Sequence, residues 1–258
     1  MIQSKWKAIG RSATGTSHTA TGKTCEDAVR YHILTDDEGN EALVCAACDG
    51  AGSALHAQWA ATYTADKVIE LAIQQLVHKE DITECHIYAI AEDIYDGLRL
   101  EAQAREMPLN EYSCTLLGCI IMPHKAAFFQ VGDGAIVRND GSGHYVPVWW
   151  PHNGEYQNST SFLVDDSSFA NLNVTILEEE VNEIAMLTDG LQMLALRMED
   201  QTAHQPFFNS FFPVLRCADV ADKLGSLNEK LAAYLDSPAI NDRTDDDKTL
   251  FLATRLLP

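Results

Sequence analysis

Positive charge is what this sequence has least of: 18 Lys and Arg stand against 38 Asp and Glu in 258 residues, a formal net charge of −20. Such a surface repels phosphate backbones and anionic headgroups, so nucleic acid and membranes are poor partners, whereas metal cations and basic protein segments suit it. Long hydrophobic runs are missing too. No stretch approaches the roughly 18 apolar residues that a membrane-spanning helix needs. Met1 to Gly10 holds Lys5, Trp6 and Lys7 and no apolar signal-peptide core. A cytoplasmic location is the expectation, and the sequons at Asn158 and Asn173 then carry no weight. The seven cysteines, an odd number, lack the rhythm of a disulfide scaffold. Most sit in apolar runs (Cys45, Cys48, Cys114, Cys119), where a free thiol acts as a small hydrophobe. Cys45 and Cys48 have C-x-x-C spacing, but no second pair accompanies them, and in a strand they face opposite ways.

What is present is an ordinary globular composition, 46% hydrophobic and 22% charged, without repeats or low-complexity runs. We expect one domain over residues 1–258. Ala28–Leu34 and Ala42–Cys48 read as a hairpin around Asp36-Asp37-Glu38-Gly39-Asn40. From Ser53, a candidate N-cap, to Val77 apolar residues recur at helical spacing, and a second helix spans about Ile82 to Arg105. Strands follow at Ser113–Ile121, Ala126–Val131, Ala135–Arg138, His144–Trp150, Asn171–Leu177 and Glu183–Leu187. Helices are expected over Pro206–Arg216 and Ala218–Leu235, and a last strand over Thr249–Thr254. This order predicts an α+β fold with antiparallel sheets and helices packed outside them.

Acidic residues punctuate these strands. Asp49-Gly50, Asp133-Gly134 and Asp189-Gly190 each end a strand, while Glu26-Asp27 and Asp245-Asp246-Asp247 each precede one. In antiparallel sheets the end of one strand lies beside the start of its neighbour, so these carboxylates can collect on one edge. Repulsion makes that costly unless cations neutralise it, and oxygen-only ligands favour Mg²⁺ or Mn²⁺. Asp-Gly is also the commonest hairpin pair, and Asp140-Gly141 is read as a turn only.

At these residues the sequence resembles the type 2C (PPM) metal-dependent protein phosphatases, in particular their compact bacterial branch. The segments that carry the likeness run in family order. They are Gly15-Thr16-Ser17-His18 with Cys25-Glu26-Asp27-Ala28, then Cys48-Asp49-Gly50-Ala51-Gly52, then Ser113-Cys114-Thr115-Leu116 with Val131-Gly132-Asp133-Gly134. Leu187-Thr188-Asp189-Gly190-Leu191 and Asp246-Asp247-Lys248-Thr249 close the series.

The resemblance implies a four-layer αββα sandwich with a binuclear Mg²⁺/Mn²⁺ centre. It also implies hydrolysis of phosphoserine or phosphothreonine in a protein by metal-activated water. By position, Asp49 bridges both ions, Asp189 and Asp246 complete one site, and the Gly50 carbonyl, Glu26 and Asp27 serve the other. Asp133 matches a third-metal position, but Met193 replaces the second acid of that site. Ala51 replaces a His found in some relatives, and Gly22 replaces the usual phosphate-binding Arg, leaving Lys23 and Arg11 as the nearest cations. His18 and His56 are read as local hydrogen-bonding or surface residues. Expected partners are a phosphorylated protein and the serine/threonine kinase connected with it, the chain itself being a monomer. The alternative is a pseudophosphatase that binds a phosphoprotein or kinase without turnover.

Overall fold

The computed structural model describes residues 5–78, 81–151, 160–165, 167–218 and 221–256. In chain order the elements are β1 (Lys7–Ala13), α1 (Thr16–Thr21), β2 (Ala28–Thr35), β3 (Glu41–Cys48), α2 (Ala57–Val77) and α3 (Glu84–Ala104). Next come β4 (Leu116–Ile121), β5 (Ala126–Val131), β6 (Ala135–Asn139), β7 (Tyr145–Pro147), β8 (Asn173–Leu177) and β9 (Glu183–Leu187). The last part holds α4 (Gln192–Ala195), β10 (Leu196–Arg197), β11 (Thr202–Ala203), α5 (Gln205–Arg216), α6 (Ala221–Leu235), α7 (Pro238–Asn241) and β12 (Lys248–Thr254).

Two antiparallel sheets form the centre, in the orders β1-β12-β9-β6-β7 and β2-β3-β4-β5-β8. Alternation along each strand decides the layering. On β3, Leu43, Cys45 and Ala47 meet Phe251 and Ala253 of β12 between the sheets. Val44, Ala46 and Cys48 face the other way, onto α2 and α3. On β12, Leu250 and Leu252 turn outward to the Phe208, Phe212 and Leu231 side of α5 and α6. The layers are therefore helix, sheet, sheet, helix, as expected. The small residues Ala57, Ala60, Ala61, Ala65 and Ala72 line the buried face of α2. Cys45 and Cys48 do point to opposite layers, and all seven cysteines are free.

Several boundaries differ from expectation. β1 was not anticipated, because KAIGRSA alternates poorly; it forms by pairing along β12 from Lys7↔Thr254 to Ala13↔Lys248. Ser53 is not the cap of α2. Ala51 N–H and His56 N–H donate to the Ser113 and Glu111 carbonyls, holding 51–56 as turns, and the helix starts at Ala57. The expected strand His144–Trp150 shrinks to Tyr145–Pro147, beyond which Trp149 packs between the sheets and Trp150 against the outer helical layer. Asp140 caps a tight turn by accepting the Ser142 N–H, with Gly141 at φ 83°. Among the described residues no helix is long and apolar enough to cross a membrane.

Candidate active site

Strand register assembles the acidic edge. Ala28 pairs with Cys48, which sets Asp27 beside Asp49. Leu187 pairs with both Ala135 and Leu250, which brings the segments after β9, before β6 and before β12 together. The result is a cavity of about 180 Å³ whose wall includes Asp49, Gly50, Asp133, Asp189, Asp246 and His18.

Close backbone packing makes this possible. A Cβ on Gly50 would stand 2.7 Å from the carbonyl oxygens of both Glu26 and Ala57, and one on Gly190 would collide with the Asp247 carbonyl. The glycines after Asp49 and Asp189 thus let neighbouring loops touch, rather than supplying an unusual φ.

The carboxylates differ in how they are held. Asp27 is buried; its Oδ2 accepts hydrogen bonds from the Thr188 and Thr249 hydroxyls at 2.8 and 2.7 Å. Burial nonetheless pushes its pKa up to about 7, against those two bonds, with the charges of Asp247 and Asp189 adding to the rise. Burial drives Asp49 well above the usual carboxylate range, helped by Asp27 and Asp189, and raises Asp189 to about 6 with Asp133 and Asp246 contributing. Asp246, though the most exposed of these carboxylates, is raised by partial desolvation first. The Asp49 and Asp189 carboxyls approach one another closely, and each perturbs the other. Asp133 accepts from the Thr160 hydroxyl, and its carbonyl accepts from the Gln192 amide.

Glu26 lies outside that cavity wall. It is buried with Lys23 Nζ 3.1 Å from Oε1 and His18 Nε2 3.5 Å from Oε2, and Lys23 also donates to the Gly52 carbonyl at 2.8 Å. Arg11 is a correction. Its guanidinium pairs with Glu229 of α6 at 2.6 Å, and it does not line this cavity, because β1 carries it onto the outer helical layer. Gly22 ends α1 in the left-handed conformation, φ 75°, which disfavours any larger residue there.

Sequence reasoning gave two residues no place in the acidic site, although His18 has the local hydrogen-bonding role expected of it. Asp247, part of the closing motif but given no role of its own, is buried and accepts the backbone N–H groups of Gly15 and Glu26 as well as His18 Nδ1, at 3.0 Å. His18 in turn stands on the cavity wall. The available signal was the adjacency of Asp247 to Lys248-Thr249, whose strand pairs with β1 just ahead of His18. His56 has the local role expected of it, stacked on Tyr112 at 4.7 Å.

Donor chemistry fits divalent cations that prefer oxygen. Asp27 Oδ1 and Asp189 Oδ1 are buried without a hydrogen-bond partner, a costly state that a cation relieves. Among the described residues no three His, Cys, Asp or Glu side chains converge as a finished ligand set; Asp49 and Asp189 meet each other instead.

Residues 14–236 match the family described as Protein phosphatase 2C. The chain belongs to that family. It is also 34% identical to Serine/threonine-protein phosphatase 3 of Escherichia coli (strain K12), over 96% of this chain and 98% of that protein. Solved structures agree on the fold. The serine/threonine phosphatase Stp1 of Staphylococcus aureus superposes with a TM-score of 0.59 at 16% identity, covering 98% of this chain and 96% of that one. RsbX in complex with magnesium gives 0.54 at 16% identity, covering 96% and 94%. The chain is thus an enzyme of the serine/threonine phosphatase class.

Proposed function

We propose that this phosphatase hydrolyses phosphoserine and phosphothreonine in a protein substrate with two divalent cations, Mg²⁺ or Mn²⁺, gathered by the acidic edge. The observation that carries this reading is the pair of buried, partnerless oxygens, Asp27 Oδ1 and Asp189 Oδ1, beside a cavity walled by further carboxylates. Asp49, Asp189, Asp246 and the Gly50 carbonyl would hold the ions, with Glu26 and Asp27 supporting them. Asp133 would serve a third ion only without its usual acidic companion, since Met193 stands there. When bound, such ions acidify water and offset the charge of a phosphoryl group.

The chain's own residues supply position. Thr188 and Thr249 fix Asp27 from one side. Asp247 ties the Gly15 to Glu26 segment against the cavity through two backbone N–H groups and His18. Lys23 is the cation left near the phosphoryl position, and it already neutralises Glu26. Lys offers a point charge where Arg would give a bidentate fork. Residues 1–258 would work as one monomeric catalytic unit on the phosphorylated products of a serine/threonine kinase. The magnesium-bound RsbX structure supports the choice of metal at the level of fold.

The test is phosphate release from phosphothreonine peptides by the full chain. Release should require Mn²⁺ or Mg²⁺, stop in excess chelator and resume when metal is restored. Full activity in chelator, or in Asp49→Asn, sinks the proposal. Tight metal binding by calorimetry with no turnover would leave a binding protein in its place.

A further inference from the structure

Beside the acidic cavity opens a larger one, of about 740 Å³, between residues 22–26, residues 52–59 and Glu111. That is within the range of pockets that take a ligand side chain or small molecule. The two cavities share Gly52, and Lys23 stands at the boundary on Glu26 and the Gly52 carbonyl. A phosphorylated segment placing its phosphoryl group at the acidic cavity therefore has this space next to it.

Its wall is of mixed chemistry. Trp59 stacks on Tyr63 at 4.9 Å and meets Tyr112 edge-on at 5.6 Å. Leu55 is 69% exposed, an extent exceeded among the described large apolar residues only by Met193 at 75%, which follows Asp189 on α4. The most exposed apolar side chains thus accompany the two loops that carry Asp49 and Asp189. Glu111 is fixed by its own neighbours: Oε2 accepts the Leu55 N–H at 2.7 Å and its carbonyl accepts the His56 N–H at 2.9 Å. Its Oε1 has no partner among the described residues. Lys23 is matched by Glu26, so Glu111 is the carboxylate on this wall without a cation.

We propose that this cavity is a specificity subsite for a lysine or arginine side chain close to the phosphorylated residue. Its aliphatic stem lies against Leu55 and Trp59, and its charge meets Glu111. A basic side chain suits this wall because the stem covers exposed apolar surface while the head finds an unmatched carboxylate and an aromatic face. The inference rests on the phosphatase reading and narrows its substrate to phosphorylated segments with a basic neighbour.

The experiment compares phosphothreonine peptides that differ only in carrying Arg or Gln at each position flanking the phosphothreonine, with the full chain in Mn²⁺. At one position kcat/KM should favour Arg by about tenfold, mainly through KM, as expected for a complementary charge at a binding site. Glu111→Gln keeps an acceptor for the Leu55 N–H and should bring that ratio to about one. Leu55→Lys, at an exposed position, should also collapse it by repulsion should the Glu111 variant fold poorly. Ratios within twofold at every position, or a preference that survives both substitutions, overturn the subsite. If no peptide and no p-nitrophenyl phosphate is hydrolysed, the phosphatase reading fails separately. Tryptophan-fluorescence titration with the same peptides then judges the subsite: tighter binding of the Arg peptide, lost in Glu111→Gln, upholds it, and equal affinities overturn it.

Discussion

The two ends of β9 bury carboxylates in opposite ways. At its start, Glu183 is fully buried with both oxygens satisfied. Oε1 accepts from Arg216 Nε at 2.8 Å and the Thr254 hydroxyl at 2.9 Å, and Oε2 from Arg216 Nη2 at 2.6 Å and the Tyr145 hydroxyl at 2.9 Å. Just past its end, Asp189 has a partnerless Oδ1 and lies against the Asp49 carboxyl, and among the described residues no arginine pairs with it. One strand thus adjoins a carboxylate whose counter-charge is built into the chain and another that has no ion pair among the described residues. Burial alone does not separate structural from functional acids here. The presence or absence of an internal counter-charge does.

Substitution at each end breaks the comparison differently. Asp49→Asn should lower metal-dependent phosphate release by at least about a hundredfold, as loss of a group stabilising transition-state charge does. It should leave the metal-free protein no less stable at pH 8, because it removes one of several repelling charges. Glu183→Gln should do the reverse. Removing one partner of a buried ion pair costs about 3 kcal/mol, read as a lower urea midpoint, while folded molecules keep their activity. Equal loss of activity in the two variants would erase the distinction between the ends.

A pH series sharpens it. Asp27 at about 7 and Asp189 at about 6 titrate in the folded, metal-free protein well above the usual 3.8. The folded state therefore keeps protons that the unfolded chain has already released. Their stabilising effect is complete below about pH 4 and is lost as pH rises through 6 and 7. Urea unfolding in chelator should show the protein less stable at pH 8 than at pH 5 by on the order of 2–4 kcal/mol. Mn²⁺ should stabilise more at pH 8, where it meets ionised carboxylates, than at pH 5. Stability that is flat or rises across this range in chelator would mean that the edge is already ionised and paired within the fold.

Much of this edge was legible beforehand because it follows from two local rules, strand periodicity and the adjacency of strand ends in antiparallel sheets. Asp49, Asp133, Asp189 and Asp246 meet for that reason. Less legible was anything decided by pairing partners far apart in sequence. β1 has a weak pattern of its own and exists because β12 offers it an edge. Asp246 and Asp247 look alike as neighbours, yet one lines the cavity and the other binds the backbone of the Gly15–Glu26 segment, since successive side chains entering a strand point in opposite directions. His18 gained importance through that same contact.

Arg11 gives the smallest expected effect and the cleanest separation of sequence proximity from spatial proximity. It lies closer in sequence to the Glu26 motif than most of the site does, but β1 delivers it to Glu229, whose side chain is 73% exposed. Exposed ion pairs contribute about 0–1 kcal/mol, so Arg11→Ala should move the urea midpoint only slightly and leave KM for a phosphothreonine peptide within about twofold. Lys23→Ala should raise KM more, because the Lys23 ammonium sits on Glu26 and Gly52 at the meeting of the two cavities. A larger KM effect from Arg11 than from Lys23 would mean that β1 releases Arg11 from Glu229 when substrate binds, and would return to Arg11 the phosphate contact that this geometry denies it.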